Sequence, residues 1–171
     1  MLAIHGGSPV SERMIFFGEP LFDEKEEKYL LETLRSGWIG FGPKCQLFEN
    51  KFEEYISSKW ALSVSSCSAA IHTALLVNGL NENDEVISTP LTFIATINAI
   101  LQTGAKPVLV DIDPITLNID IKKVESAITS KTKAILPVHF GGLPVDIDAI
   151  EDIACRNNIA IIYDAAHALL L

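Results

Sequence analysis

Residues 158–168 read NIAIIYDAAHA, and this stretch decides the fold. The run from Ile159 to Tyr163 is apolar at every position and partly β-branched, which is typical of a strand covered on both faces in a parallel sheet. The run ends at Asp164, and His167 follows. Ligands of open α/β folds bind at the carboxyl ends of such strands. Asp164 and His167 therefore stand where a binding site is expected, although an acid at this place also serves simply to cap a turn.

Similar apolar runs alternate with helical patterns from residue 60 onward. Strands are predicted at 60–64, 84–88, 107–111, 133–138 and 159–163, and helices at 67–79, 92–103, 120–129 and 146–157. This alternation with short connections predicts right-handed crossovers and a mostly parallel sheet with helices on both faces. The predicted fold class is therefore α/β.

The residues before this alternation predict a helical arm. A first helix is expected at 24–36, where Asp23 is the N-cap and Gly37 ends the helix. A second helix is expected at about 44–57. Its predicted buried face consists of Leu47, Phe48, Phe52, Tyr55 and Ile56. We accordingly divide the chain into an N-terminal arm with two helices, 1–58, and a partial α/β domain, 59–171.

Composition excludes several classes of protein. The net charge of −9 comes from 13 basic and 22 acidic residues, and nucleic-acid surfaces need clustered Lys and Arg. No apolar run reaches the roughly 18 residues of a membrane span. Cys45, Cys67 and Cys155 form no CxxC pair, which argues against a zinc site. An odd cysteine count and the lack of a secretory leader predict a cytoplasmic protein. The charge and the short apolar runs predict that it binds neither nucleic acid nor membranes.

Two further segments follow predicted strands and carry candidate chemistry. Residues 65–70, SSCSAA, precede a helix, and small residues at a helix start favour binding of an anion. Ser66 or Ser68 would equally serve as an ordinary N-cap. Phe93 lies at the turn after the second predicted strand, where it either stacks on a planar ligand or packs between helix and sheet.

The remaining candidate residues, and the motifs that the sequence lacks, argue against several kinds of site. His139 and His167 both follow predicted strands, but Asp164 is the one carboxylate that we place nearby, so we predict no metal site. The sequence lacks GxGxxG, a Walker lysine and GxSxG, which disfavours dinucleotide, nucleoside triphosphate and hydrolase interpretations. An anion cup, a stacking ring and an acid on one sheet edge would suit pyridoxal phosphate, whose pyridinium needs a carboxylate.

Seven motifs connect the sequence to a known family. They are SGWIGFGP (36–43), FENKFEEY (48–55), SVSSCSAAIHTAL (63–75), DEVISTPLTFIATINAI (84–100), PVLVDIDPITLNID (107–120), KTKAILPVHFGG (131–142) and YDAAHA (163–168). In this order and spacing, the chain resembles the DegT/StrS family of pyridoxal-phosphate-dependent sugar-nucleotide aminotransferases of fold type I. The resemblance covers the N-terminal half of the large domain, so residues 59–171 would be a partial cofactor-binding domain.

The resemblance implies a role for each candidate residue. Ser68 and Ala69 would bind the phosphate of pyridoxal 5′-phosphate, and Phe93 would stack on its ring. Asp164 would pair with the ring nitrogen, and His167 would contact the 3-hydroxyl group.

The resemblance also implies a reaction and partners. Trp38 would help to shape the sugar-nucleotide site. The family transfers an amino group, usually from glutamate, to a nucleotide-linked keto-sugar, and its members form homodimers that take part in polysaccharide and nucleotide-sugar biosynthesis.

Two departures from the family pattern matter. Cys67-Ser68 stands where the family usually has Gly-Thr, which keeps a hydroxyl but adds a side chain to the phosphate cup. The Schiff-base lysine of the family would lie beyond residue 171, and none of the lysines present matches its motif. We therefore expect that these 171 residues alone do not catalyse transamination. A pyridoxal-phosphate sugar dehydratase of the same family and a non-catalytic fragment that binds a sugar nucleotide or a full-length paralogue remain alternatives.

Overall fold

The structure, a computed structural model, describes residues 1–14, 16 and 18–169. It divides into two compact units, Met1–Ser63 and Val64–Leu171. The sequence had suggested a division between residues 58 and 59, five residues earlier in the chain.

Helix α1 of the first unit, Glu24–Ser36, begins and ends at the residues expected from the sequence. A reciprocal capping box starts it. Asp23 Oδ1 accepts the Lys25 N–H at 2.7 Å, and Glu26 Oε2 accepts the Asp23 N–H at 2.6 Å. Gly37 ends the helix in the left-handed region, at φ 72°, where a glycine is the least strained residue. These local signals define both ends of α1.

Helix α2, Pro43–Ile56, forms as expected, but the prediction that its apolar face is buried is wrong. Leu47, Phe48, Tyr55 and Ile56 are exposed, and Phe52 is half-buried. Apolar side chains of α1 and α2 line an open cavity of about 720 Å³ instead of forming a core. The amphipathic pattern of α2 is therefore confirmed, but none of the described residues of this unit covers its apolar face.

The prediction of a strand at 60–64 is also wrong. Alternate N–H groups of this extended segment donate to carboxylates of α2 rather than to a neighbouring strand. The Ala61 N–H donates to Glu53 Oε1 at 2.9 Å. The N–H and the hydroxyl of Ser63 both donate to Glu49 Oε1 at 2.7 Å. Because these donors are already engaged, the segment takes no place in the described sheet.

The described residues of the second unit form a four-stranded parallel sheet with four α-helices and one short 3-10 helix, Phe140–Gly142. In chain order its elements are α3 (Cys67–Val77), β1 (Glu85–Ser88), α4 (Ile94–Gln102), β2 (Lys106–Leu109), α5 (Ile121–Ala127), β3 (Thr132–Ile135), α6 (Ile147–Asn157) and β4 (Ala160–Ile161). The strand order is β2-β1-β3-β4, and every pair is parallel. The α/β class predicted from the alternation is confirmed.

Alternate residues of the strands enter two separate cores, one on each face of the sheet. Ile87 and Ile135 pack in the core that contains residues of α5 and α6, such as Val124 and Ile150. The neighbouring strand residues Val86, Ala134 and Leu136 pack in a second core with residues of α3 and α4. Helices therefore cover both faces, as the sequence predicts.

Strand β4 differs from the prediction for residues 159–163. Only Ala160 and Ile161 form the strand, and both are half-buried rather than fully buried. β4 pairs with β3 alone in the described sheet, so it lies at the edge, where one side of the strand has no neighbour. The continuous apolar run correctly indicated a strand but not its position in the sheet.

Candidate functional site

Asp164 is held in place by the continuation of the parallel ladder beyond β4. Its N–H donates to the Pro137 carbonyl at 2.9 Å, and its carbonyl accepts the His139 N–H at 3.1 Å. These bonds form an isolated parallel bridge between Val138 and Asp164. The residue is only 6% exposed. Backbone pairing therefore fixes a buried acid at the carboxyl ends of β3 and β4.

Three groups from different elements approach the Asp164 carboxylate. Thr96 of α4 donates its hydroxyl to Oδ2 at 2.7 Å. The Ala166 N–H donates to Oδ1 at 3.2 Å, and the Cys67 thiol of α3 lies 3.8 Å from the same oxygen. The bond from Ala166 shows that Asp164 caps the following turn, which is the simpler of the two roles considered from the sequence. The bond from Thr96 and the nearby thiol show that this carboxylate also faces two helices far away in sequence.

Phe93, Asp164 and His167, which the sequence proposed for one site, line the same small cavity. The lining residues are Thr92, Phe93, Val138, His139, Phe140, Asp164, Ala166 and His167. The side chains of Phe93 and His167 are exposed, and that of Asp164 is buried. The cavity measures about 70 Å³, whereas small-molecule pockets measure about 300–1,000 Å³. These residues alone therefore do not enclose a ligand.

The other two predicted cofactor residues, Ser68 and Ala69, lie in the first turn of α3. Ser66, and not Ser68, is the N-cap, because its hydroxyl oxygen accepts the Ala69 N–H at 3.2 Å. Ser68 is exposed in the first turn, and no acidic residue occupies that turn. The positive end of the helix dipole thus remains without a side-chain counter-charge in this turn. Cys67 joins the helix start to Asp164, so Ser68 and Ala69 lie next to the site in sequence and in space.

The charge of Asp164 affects its sulfur neighbour. Burial, and then the negative charge of Asp164, raises the pKa of the Cys67 thiol above its usual range. The thiol is therefore neutral at neutral pH, which makes it a weak hydrogen-bond donor to the carboxylate and a poor nucleophile.

His139 lines the cavity as a neutral, structural side chain. Burial lowers the pKa of His139, and the charge of Asp164 only partly opposes this effect. Its Nδ1 accepts the Val145 N–H at 3.2 Å, which assigns the ring proton to Nε2. The ring also stacks on Tyr163, with centroids 5.2 Å apart. The second histidine at a strand end thus has a packing role.

Sequence reasoning missed Thr96, which supplies the shortest hydrogen bond to the Asp164 side chain. Thr96 is 1% exposed and lies among the buried residues Ala99 and Ile100 of α4. A hydroxyl at a buried position of an otherwise apolar helix face must find a partner, because an unpaired one is costly. That single polar interruption was the available signal.

Trp38 lies in the first unit, within the glycine-rich loop between α1 and α2. Its indole N–H donates to the Phe41 carbonyl at 2.7 Å and closes the loop on itself. A Cβ added at Gly42 would clash with the Trp38 indole, so a side chain at this position would require the indole to move. The tryptophan is 58% exposed. Its position is thus determined by the loop alone.

The described residues, 1–14, 16 and 18–169, contain neither a membrane-spanning helix nor a metal-binding cluster. Within them no helix combines the length and the apolar character needed to cross a bilayer. The same residues contain no group of three or more His, Cys, Asp or Glu side chains placed to hold a metal ion.

Comparisons with known proteins agree on one family. Residues 20–170 match the DegT/DnrJ/EryC1/StrS aminotransferase family. The spore coat polysaccharide biosynthesis protein SpsC of Bacillus subtilis is 49% identical over 150 residues, which are 88% of this chain and 39% of that protein. The chain thus spans about two fifths of the length of this relative.

Solved structures show the same similarity. An aminotransferase from Psychrobacter cryohalolentis superposes with a TM-score of 0.86 at 36% identity, over 90% of this chain and 40% of its own. NtdA of Bacillus subtilis, solved with bound cofactor PMP, gives a TM-score of 0.83 at 41% identity, over 85% of this chain and 33% of its own.

Proposed function

Since the chain belongs to the DegT/DnrJ/EryC1/StrS aminotransferase family, we propose that its protein moves an amino group from an amino acid such as glutamate to a nucleotide-linked keto-sugar, with pyridoxal 5′-phosphate as cofactor. One observation carries the proposal: the buried carboxylate of Asp164 lies at the carboxyl ends of parallel strands, beside the first turn of α3. When bound, the cofactor supplies an electron sink for the substrate amine.

The part of Asp164 in this proposal is to keep the ring nitrogen of the cofactor protonated. A carboxylate favours a positive charge beside it, and this interaction is stronger in a buried site than in water. Thr96 and Ala166 donate hydrogen bonds to this side chain and hold its oxygens in place. The donor set around Asp164 therefore suits a pyridinium partner.

The other candidate residues fit the remaining parts of the cofactor. Ser68 and Ala69 would hold the phosphate at the start of α3, where backbone N–H groups and the helix dipole favour an anion. The Ala69 N–H already donates to Ser66, so a phosphate would share this donor with the cap. Phe93 offers an exposed ring for stacking, and His167 lies in the same cavity for contact with the 3-hydroxyl group.

The substrate side of the proposal rests on the resemblance and on Trp38. We propose that this exposed side chain, fixed by its bond to Phe41, forms part of the sugar-nucleotide site. SpsC, a relative named for spore coat polysaccharide biosynthesis, supports a role in making a polysaccharide precursor.

Binding of pyridoxamine 5′-phosphate, which needs no covalent link to a lysine, tests the proposal directly. We expect Asp164→Asn to weaken binding about tenfold to hundredfold, since a hydrogen bond to a charged group contributes about 1.5–3 kcal/mol. Equilibrium dialysis measures the affinity. Asp152→Asn on α6, an exposed acid that pairs with Arg156, is the matched control and is expected to bind like the unsubstituted chain. Equal affinities for both variants would contradict the role of Asp164.

Catalysis by these 171 residues alone is a separate question. We propose that they do not convert glutamate to 2-oxoglutarate, because none of their lysines occupies the family's Schiff-base motif. Borohydride reduction in the presence of pyridoxal 5′-phosphate is expected to label no single lysine. A stoichiometric adduct on one lysine would refute this proposal.

We further propose that the protein is a cytoplasmic homodimer. The uncovered apolar side chains of α1 and α2 support self-association, since exposed apolar patches of this kind mark contact surfaces. Three free cysteines are in keeping with a reducing compartment. Light scattering coupled to size-exclusion chromatography is expected to give a mass above that of one chain, whereas a monodisperse monomer would contradict the dimer.

A further inference from the structure

The hydrogen bond between Thr96 and Asp164 has a defined direction. Thr96 Oγ1 lies 2.7 Å from Asp164 Oδ2 and is buried. The threonine hydroxyl is the donor and the carboxylate oxygen is the acceptor. A bond to a charged acceptor is about twice as strong as one between neutral groups.

A second threonine continues the chain of hydrogen bonds. Thr92 Oγ1 and Thr96 Oγ1 lie 2.7 Å apart, a distance at which either atom alone could donate. Thr96 has one hydroxyl hydrogen, and that hydrogen points at Asp164. Thr92 must therefore donate to Thr96, which gives a directed sequence from Thr92 through Thr96 to Asp164.

The arrangement differs from the ordinary behaviour of a threonine in a helix. Such a hydroxyl usually bonds back to the carbonyl four residues earlier in its own helix. Thr96 instead reaches a side chain 68 positions away in the sequence. Thr92, its other partner, stands next to Phe93 and lines the same cavity as Asp164. The two threonines thus connect the turn that carries Phe93 to the acid after β4.

We propose that Thr96 is a positioning residue for the cofactor acid, with Thr92 as its anchor. The Thr96 hydroxyl fixes the carboxylate of Asp164 in one orientation and leaves its remaining acceptor capacity for the ring nitrogen. Loss of the hydroxyl lets the carboxylate rotate and weakens its hold on the ring proton. This inference rests on the proposed cofactor and adds residues that the sequence resemblance does not assign.

The ring nitrogen itself reports on the proposal. The probe is pyridoxamine 5′-phosphate labelled with ¹⁵N in the ring, bound to the full chain, and the readout is the ¹⁵N chemical shift over a pH series. Thr96→Val keeps the shape of the side chain and removes the hydroxyl, whereas Thr96→Ser keeps the hydroxyl. Thr103→Val removes a hydroxyl at the other end of α4, where it bonds to the Ile100 carbonyl, and serves as the control.

The expected results separate positioning from a structural role. Thr96→Val is expected to move the ring shift towards the unprotonated value and to weaken binding about tenfold or more. Thr96→Ser and Thr103→Val are expected to match the unsubstituted chain. Thr92→Val is expected to cause a smaller change in the same direction as Thr96→Val.

Three outcomes would overturn the inference in different ways. A normal ring shift and normal affinity in Thr96→Val would refute it while leaving the proposed cofactor intact. Failure of the unsubstituted chain to bind the probe would refute the proposed function, and this inference with it. If circular dichroism shows that Thr96→Val does not fold, Thr92→Val becomes the deciding variant. A ring ¹⁵N shift of Thr92→Val equal to that of the unsubstituted chain would then refute the proposed roles of both threonines.

Discussion

The two units form their helices equally well but bury them very differently. In the second unit Leu75, Ile100 and Ile150 are fully buried, whereas in the first unit Leu30 is 67% and Phe48 57% exposed. Capping residues and glycines define helices in both units, because these signals act within a few residues of the chain. Burial depends on a partner surface. An amphipathic pattern therefore shows that a face is suited to being covered but does not show what covers it.

Matched leucine truncations give the largest expected contrast between the units. Leu75→Ala in α3 is expected to lower the free energy of unfolding by about 2–5 kcal/mol, because it leaves a cavity in a closed core. At protein concentrations where the chain is monomeric, Leu30→Ala in α1 is expected to change it by less than about 0.5 kcal/mol. Urea denaturation followed by circular dichroism measures both.

Similar losses from the two leucines would show that the apolar face of α1 is covered in solution. The dimer proposed above would produce that result, so the comparison should be repeated at several protein concentrations. A loss for Leu30→Ala that grows with concentration would assign the cover to a second chain.

A pH titration tests a second difference between the units. In the first unit the segment that follows α2 is held by hydrogen bonds to carboxylates rather than by an apolar core. Backbone and hydroxyl hydrogen bonds from Ser63 lower the pKa of Glu49 below the usual value of a glutamate. The stabilising bonds are fully present above that usual pKa and are lost as pH falls through the lowered pKa. We expect the Ser63 amide proton resonance to shift with a midpoint below the ordinary pKa of a glutamate side chain.

Glu49→Gln is the control for this titration, since its amide oxygen accepts hydrogen bonds without titrating. The Ser63 amide resonance of that variant is expected to stay constant through the same pH range. An unchanged midpoint in Glu49→Gln would show that another acid controls the segment.

Alkylation of the cysteines gives the smallest expected effect. Asp164→Asn removes a negative charge beside Cys67 and is expected to lower the pKa of that thiol, whose elevation is due mainly to burial. Its reaction with iodoacetamide at pH 8 is expected to become severalfold faster, up to about tenfold for one pKa unit. Cys45 in the first unit and Cys155 on α6 are internal controls whose rates are expected not to change. Mass spectrometry of timed samples gives all three rates.

The features that local sequence determines were predictable. Asp23 and Gly37 gave the bounds of α1, and the alternation after residue 60 gave the parallel sheet with helices on both faces. The end of the apolar run at Tyr163 predicted Asp164 near the carboxyl end of a strand, and the isolated parallel bridge between Val138 and Asp164 lies just beyond β3 and β4. In each case the deciding interaction spans few residues or follows from a simple repeat.

The features that depend on distant partners were not predictable in the same way. The segment 60–64 has the composition of a strand, but its N–H groups donate to Glu49 and Glu53. The contact of Thr96 with Asp164 joins residues 68 positions apart, and the polar interruption in α4 signals that Thr96 needs a partner without identifying Asp164 as that partner. Propensity describes how a segment prefers to fold, whereas the choice of hydrogen-bond partner belongs to the assembled structure.

The two glutamates of α2 also show that side chains of a helix can accept the backbone hydrogen bonds that a neighbouring strand would otherwise accept. Glu49 and Glu53 are four residues apart, which separates them by about 6 Å along the helix axis. Ala61 and Ser63 are two residues apart in an extended segment, a repeat of about 6.6 Å. The two spacings nearly coincide, and the pairing of Glu53 with Ala61 and Glu49 with Ser63 runs antiparallel. Two carboxylates four residues apart on a helix therefore have the right spacing to accept hydrogen bonds from alternate N–H groups of an extended segment.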